Sequence, residues 1–138
     1  MNERTLDHVG IAVSSLDDAI PVWTGIVGAA AVGRETVASQ GVEIVFLGTG
    51  QGRVELLAPT RPDSPVGRFL ERRGPGIHHL AYRVTDIHSE LKELEAAGFE
   101  PIDREPREGA HHHLVAFLHP RTAGGVLVEL VEHRSGAD

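Results

Sequence analysis

The order of apolar and polar positions occurs twice along the chain. The segments HVGIAVSSLDDAI (8–20) and HLAYRVTDIHSEL (79–91) both begin with a histidine and continue as an apolar strand that ends in valine. Each then has a short polar break and the first turn of an amphipathic helix. His8 and His79, which open the two segments, are 71 residues apart.

Two further landmarks keep nearly the same spacing. Phe-Leu pairs at 46–47 and 117–118 are also 71 residues apart. Glu55 and Glu129, each inside an apolar run, are 74 residues apart, so the second copy contains three additional residues. This regular order indicates two copies of one supersecondary unit.

Each copy predicts a strand, a helix and then three strands, which makes the fold class α+β. Ser15 or Asp17 is expected to cap the first helix, and Pro21 is expected in its first turn, where a missing N–H is tolerated. The predicted strands are residues 4–13, 30–37, 42–48, 52–58, 77–84, 99–104, 112–118 and 125–132, and the predicted helices are residues 17–28, 64–74 and 86–97.

The 138 residues are expected to form one domain (1–138), because no long or low-complexity linker separates the copies. The first module spans about 4–60, the linking helix about 64–74 and the second module about 76–133.

Composition excludes several kinds of chemistry. The chain has no cysteine, which excludes disulfides, thiolate metal ligands and a cysteine nucleophile. Its formal net charge of −7 disfavours nucleic acid and anionic membranes as partners, and no apolar run is long enough to cross a membrane. Because the amino terminus has no signal-like apolar run, a cytoplasmic location is expected.

Histidine and glutamate at matched positions form the candidate site. Each copy has one histidine at the start of a strand and one glutamate within a strand: His8 with Glu55, and His79 with Glu129. A single glutamate in such a strand most often faces water. Two copies related by a pseudo-twofold axis would instead bring the four residues together, and two imidazoles with two carboxylates suit a divalent metal. The 71-residue offset selects His79, and alternation directs His78 to the other face.

These residues lie in motifs that resemble the vicinal oxygen chelate superfamily and, within it, the methylmalonyl-CoA epimerase family. The resemblance covers nearly the whole chain, and it implies a barrel-like cup of two tandem βαβββ modules and a homodimer. The motifs that carry it are DHVGIAV (7–13), GVEIVFL (41–47), VELLAP (54–59), SPVGRFLERRGPGIHHLAYRV (64–84), EPREGA (105–110) and FLHPRTAGGVLVEL (117–130).

The resemblance also implies a cofactor and an activity. His8, Glu55, His79 and Glu129 would bind a divalent metal ion, often cobalt in this family, with zinc, nickel, manganese or iron as alternatives. Members interconvert (2R)- and (2S)-methylmalonyl-CoA, so the partner would be a small-molecule acyl-CoA. The Glu55 position is glutamine in some members, so glutamine is expected to be tolerated there.

Epimerisation requires a proton to leave one face of C2 and return on the other. Glu129 and Glu43 are the candidate catalytic residues. Glu43 shares a strand face with Val45 and Leu47, so two environments remain open for it. A dry site would raise its pKa, whereas a strand end in water would not.

The sequence is also compatible with other functions, and further residues are candidates for substrate contacts. A glyoxalase I-like lyase could use the same four ligands, a ring-cleaving dioxygenase would need two histidines and one carboxylate, and a metal-free binding module would need none. The histidines at 111–113 are expected in an exposed loop that leads into a strand. The candidates for contacts with CoA phosphates are Arg68, Arg72, Arg104 and Arg107.

Overall fold

The computed structural model of the protein describes residues 3–134. The chain divides into two compact units that follow the internal repeat. The first unit is His8–His78, and the second unit consists of the described segments before and after it. The boundaries fall within the strands that open the two copies, so each unit contains most of one copy. The helices and strands along the chain confirm the predicted α+β class. No helix within residues 3–134 has both the length and the apolar character needed to span a membrane.

Within residues 3–134, three α-helices and eight strands follow one another in the predicted order, except at residues 99–104. They are β1 (Thr5–Ala12), α1 (Leu16–Val27), β2 (Ala31–Val37), β3 (Val42–Leu47), β4 (Arg53–Pro59), α2 (Pro65–Arg73), β5 (Gly76–Arg83), α3 (Ile87–Ala96), β6 (Arg107–Glu108), β7 (Leu114–Leu118) and β8 (Val128–Glu132).

The sheet of the first unit has the order β2-β3-β4-β1. β1 pairs with β4 in parallel, and the other neighbours are antiparallel. One face of this sheet packs against α1 through a buried cluster that includes Ile11, Val45 and Leu56. Because side chains alternate along a strand, the other face carries His8 and Glu55.

The sheet of the second unit has the order β5-β8-β7-β6, again with one parallel pair, β5 with β8. Its helix-facing core contains Ile87 and Leu91 of α3 with Ala116 and Leu130 of the sheet. A second buried group on the opposite face consists of Ala81, Val115 and Val131. Each unit therefore has a helix-covered face and a face that carries a candidate histidine and glutamate.

Local capping explains where the helices begin. The Asp18 N–H donates to the Ser15 hydroxyl at 3.2 Å, so Ser15 caps α1, and the Gly67 N–H donates to the Ser64 hydroxyl at 3.1 Å at the start of α2. Pro65 occupies the first turn of α2, where a missing N–H is tolerated. The prediction for Pro21 is wrong, because a helix that begins at Leu16 places this proline in the second turn, where it removes one backbone hydrogen bond.

The strand predicted at 99–104 is also wrong. That segment forms only an isolated bridge between Pro101 and Leu118, and the next strand is the two-residue β6. Pro101 and Pro106 have no N–H to donate, so they interrupt a ladder that the apolar pattern alone would allow.

Candidate metal centre

The first unit brings His8 and Glu55 together. In the parallel ladder Gly10 lies opposite Glu55, and His8 lies opposite Arg53, so the two side chains project from the same face. His8 Nδ1 is 3.3 Å from Glu55 Oε2, and both side chains are buried. The alternative in which Glu55 faces water is therefore wrong for this strand.

Arg53 belongs to the same group, although the sequence reading did not single it out. Its guanidinium lies 2.8 Å from Glu55 Oε2, the oxygen that also faces His8. The Arg53 side chain is only 13% exposed. The sequence could have indicated this, because Arg53 and Glu55 are two residues apart on one strand and therefore share a face. Glu55 thus contacts an imidazole and a guanidinium through one carboxylate oxygen.

The second unit brings His79 and Glu129 together in the equivalent way. His79 Nε2 is 3.3 Å from Glu129 Oε1, and both side chains are buried. The edge of the His79 ring contacts Phe117, with ring centroids 5.6 Å apart. Phe117 is the register partner of Glu129, so all three side chains lie on one face of the sheet.

His78 points elsewhere, as alternation predicts. In the first unit its ring meets Phe69 edge-on at 5.1 Å and is only partly buried. His79 rather than His78 therefore supplies the imidazole beside Glu129.

The donor atoms of each pair fit a divalent metal of intermediate softness. Each unit supplies one imidazole nitrogen and one carboxylate, and all four residues are at most 6% exposed. Nitrogen and oxygen donors of this kind bind zinc, cobalt, nickel and iron, whereas magnesium and calcium prefer oxygen alone. The residues present thus fit the metal that the sequence predicts.

Glu43 does not lie in a dry, apolar environment, which was one of the two alternatives for it. Its carboxylate pairs with the Arg34 guanidinium at 2.9 and 3.3 Å, and Arg34 also contacts Asp17 at 3.0 Å. These two carboxylates raise the pKa of Arg34 above its usual range. The Glu43 side chain is 34% exposed.

The strand register also separates Glu43 from the metal-ligand candidates of its unit. Glu43 lies opposite Ala58, on the face that packs against α1. Glu55 lies opposite Phe46, on the other face. Glu43 is therefore not brought to the face that carries Glu55, which argues against its predicted role as a base.

A stacked histidine pair in the second unit, in which His113 is buried and His133 partly buried, was not predicted. His113, expected in an exposed loop, is 3% exposed and stacks on His133 with ring centroids 4.1 Å apart. His133 Nε2 is 2.7 Å from Asp7 Oδ1, and the Arg134 N–H donates to His113 Nδ1 at 3.0 Å. His112, in contrast, is exposed as expected. The sequence position of the two residues could have indicated their contact. His113 directly precedes β7 and His133 directly follows β8, and these ends lie side by side because the two strands are antiparallel.

The arginines considered for phosphate contacts differ in their surroundings. Arg104 lies 3.2 Å from Glu95, and Arg107 lies 3.8 Å from Asp103, so both have acidic neighbours. Arg68 and Arg72 are exposed on α2. Phosphate binding by any of them stays a prediction.

Comparison with known proteins places this geometry in context. Residues 7–117 match the family model described as the Glyoxalase/Bleomycin resistance protein/Dioxygenase superfamily. The chain is 42% identical over 127 residues to the uncharacterized protein YqjC of Bacillus subtilis (strain 168), covering 92% of this chain and 91% of that protein. It is 39% identical over 128 residues to the mitochondrial methylmalonyl-CoA epimerase of Dictyostelium discoideum, covering 92% of this chain and 77% of that protein.

The chain is also similar to a solved structure. A variant of Streptomyces coelicolor methylmalonyl-CoA epimerase, in complex with 2-nitronate-propionyl-CoA, superposes with a TM-score of 0.91 at 32% identity, covering 97% of each chain. The vicinal oxygen chelate fold predicted from the sequence is thereby confirmed.

Proposed function

The chain belongs to the glyoxalase/bleomycin resistance protein/dioxygenase superfamily, and we propose from this that it is a methylmalonyl-CoA epimerase. It would be an isomerase that interconverts the (2R) and (2S) forms of an acyl-CoA thioester. The observation that carries the proposal is the buried histidine–glutamate pair in each of the two repeated units. Relatives of this name, similar over most of the chain, support the substrate class.

The proposed metal site uses His8, Glu55, His79 and Glu129 as ligands to one divalent ion. The matched sequence positions of the two pairs and the chemistry of their donors support this set. The bound metal would act as a Lewis acid that stabilises negative charge on the thioester oxygen of the substrate. Cobalt is the metal proposed from the family resemblance, and elemental analysis of the purified protein would test it.

Glu129 is proposed to take the C2 proton from one face of the substrate, and to donate a proton to that face when the reaction runs in the reverse direction. Its carboxylate is buried, its Oε1 lies 3.3 Å from His79 Nε2, and Phe117 lies beside both on the same face. Ala81 and Val131 also lie on this face and are buried, so they would exclude water from the reacting carbon.

A second proton-handling group is required on the opposite face of C2. Glu43 stays a prediction for this role, and its ion pair with Arg34 on the helix-covered face argues against it. Substitution of Glu43 by glutamine tests this role directly.

The remaining features are proposals from the resemblance and the sequence. A homodimer would be tested by light scattering on the purified protein. A role in propionate metabolism and a cytoplasmic location would be tested by growth on propionate after gene deletion and by cell fractionation.

An exchange experiment tests the activity. In D₂O, the protein should incorporate deuterium at C2 of methylmalonyl-CoA, as observed by NMR, and Glu129→Gln should reduce this exchange about 10²- to 10⁴-fold. The hemithioacetal of methylglyoxal and glutathione serves as the competing substrate. Turnover of the hemithioacetal without C2 exchange of methylmalonyl-CoA would indicate a glyoxalase I-like lyase instead.

A further inference from the structure

One of the two candidate carboxylate ligands is paired with an arginine, and the other has a leucine at the matching position. In the first unit His8 lies opposite Arg53, two residues before Glu55. In the second unit Leu80 lies opposite Val128 and its N–H donates to the Leu127 carbonyl. Leu127, two residues before Glu129, is therefore the counterpart of Arg53.

The arginine contacts the carboxylate directly. One guanidinium nitrogen of Arg53 is 2.8 Å from Glu55 Oε2, and the side chains are 13% and 4% exposed. A guanidinium remains protonated under all ordinary conditions, so this is a permanent positive charge in a largely buried place. Such a charge is stable there only beside a carboxylate.

The pair has a consequence for the charge of the proposed metal site. Two neutral imidazoles and two carboxylates carry a net charge of −2, but Arg53 reduces this to −1. A divalent metal would then leave a net positive charge, which suits an anionic substrate and a reaction that develops negative charge. A site with an amide in place of Glu55 and no arginine would reach the same net charge.

We propose that Arg53 is a positioning residue that holds Oε2 of Glu55 and sets the net charge of the metal site. This inference rests on the proposed function, because it takes Glu55 as a metal ligand. Arg53 contacts the same carboxylate oxygen that faces His8, so it fixes the Glu55 carboxylate beside the imidazole. The expectation that glutamine is tolerated at position 55 then changes: we expect tolerance only when Arg53 is replaced as well.

Co²⁺ binding by the full chain, measured in competition with a chelator, tests the proposal. Glu55→Gln alone leaves the arginine charge uncompensated and should weaken Co²⁺ binding at least tenfold. The double variant R53M/E55Q should bind Co²⁺ within about threefold of the parent protein. A double variant that binds no more tightly than Glu55→Gln would overturn the proposal.

The melting temperature of the metal-free protein separates this role from a merely structural one. Both single variants, R53M and E55Q, should lower it, and the double variant should recover most of the loss, because buried charge pairs are coupled. If the double variant recovers the melting temperature but not Co²⁺ binding, the pair is only structural and the proposal is wrong.

An exposed ion pair in the same unit serves as the control for the Co²⁺ measurement. The exposed pair Arg61–Asp63, 3.2 Å apart in the same unit, gives the matched double variant R61M/D63N, which should leave Co²⁺ binding within about twofold. If the parent protein binds no Co²⁺, or if Glu129→Gln binds it normally, the proposed metal site itself fails. Failure of the Arg53 coupling in a protein that binds metal through Glu129 would affect this inference alone.

Discussion

Glu43→Gln is the substitution that best separates a catalytic role from a structural one. A general base that is removed costs about 10²- to 10⁴-fold in rate, and that is the result expected if Glu43 faces C2 of the substrate. The structure supports a different expectation, because Glu43 lies on the α1-facing side of β3 and pairs with Arg34.

The contacts of Glu43 set the size of the expected effect. Of its two hydrogen bonds with Arg34, at 2.9 and 3.3 Å, glutamine can still accept one through its amide oxygen. Arg34 keeps its contact with Asp17 at 3.0 Å, and the Glu43 side chain is already 34% exposed. We therefore expect turnover within about threefold of the parent and a melting temperature lowered by less than about 3 °C.

Deuterium exchange at C2, started separately from the (2R) and (2S) epimers, is the appropriate assay. Glu129→Gln serves as the positive control, since it should slow exchange strongly. A loss of 100-fold or more in Glu43→Gln, with metal content and melting temperature unchanged and with unequal effects on the two epimers, would refute the structural reasoning. It would restore Glu43 as a face-specific base.

Three further predictions concern the metal and the pH dependence. His79→Ala should lose metal and activity together, whereas His78→Ala should keep both; the opposite result, by elemental analysis, would mean that the strand register is wrong by one residue. EDTA should lower the melting temperature, because a metal present 100-fold above its Kd stabilises the folded state by about 2.7 kcal/mol. The Arg121 guanidinium lowers the pKa of Glu100, so their pair should stabilise the protein at neutral pH and lose this contribution as the pH falls below about 4.5. Melting curves from pH 7 to pH 3 should therefore show a shallower acid decline for Glu100→Gln.

The sequence predicted the two histidine–glutamate pairs because the repeat supplies information that a single strand lacks. An isolated glutamate in VELL could face either side, but a second glutamate at the matched position made a shared role the better interpretation. The pairings His8 with Glu55 and His79 with Glu129 are both present within their units.

The orientation of Glu43 could not be predicted for a physical reason. β3 is buried on both faces, with Val42 and Phe46 on one side and Val45 and Leu47 on the other. When both faces are apolar, period-two alternation does not indicate which of them packs against the helix. Only the pairing with β4 assigns Glu43 to the α1 side.

The burial of Arg53 and His113 was not predicted, because it depends on partners that are distant in the sequence. Arginine in a strand is usually solvated, and nothing in the local sequence shows that Arg53 lies opposite His8. His113 belongs to a run of histidines that composition assigns to an exposed loop, yet it stacks on His133, twenty residues further along the chain.

The loop before β7 has a cost that its side chains must offset. His111 and His112 both adopt left-handed backbone conformations, with φ of 57° and 59°. Side chains with a Cβ atom adopt such conformations at a cost of order 1–3 kcal/mol each, whereas glycine does so freely. The contact of His112 with Glu108 at 2.7 Å and the bond from Arg134 Nε to the His112 carbonyl, also 2.7 Å, hold the turn in place. Glycine at both positions would relieve the backbone strain. It would also remove the imidazole that holds the turn to Glu108, so the loop would be less strained but more mobile.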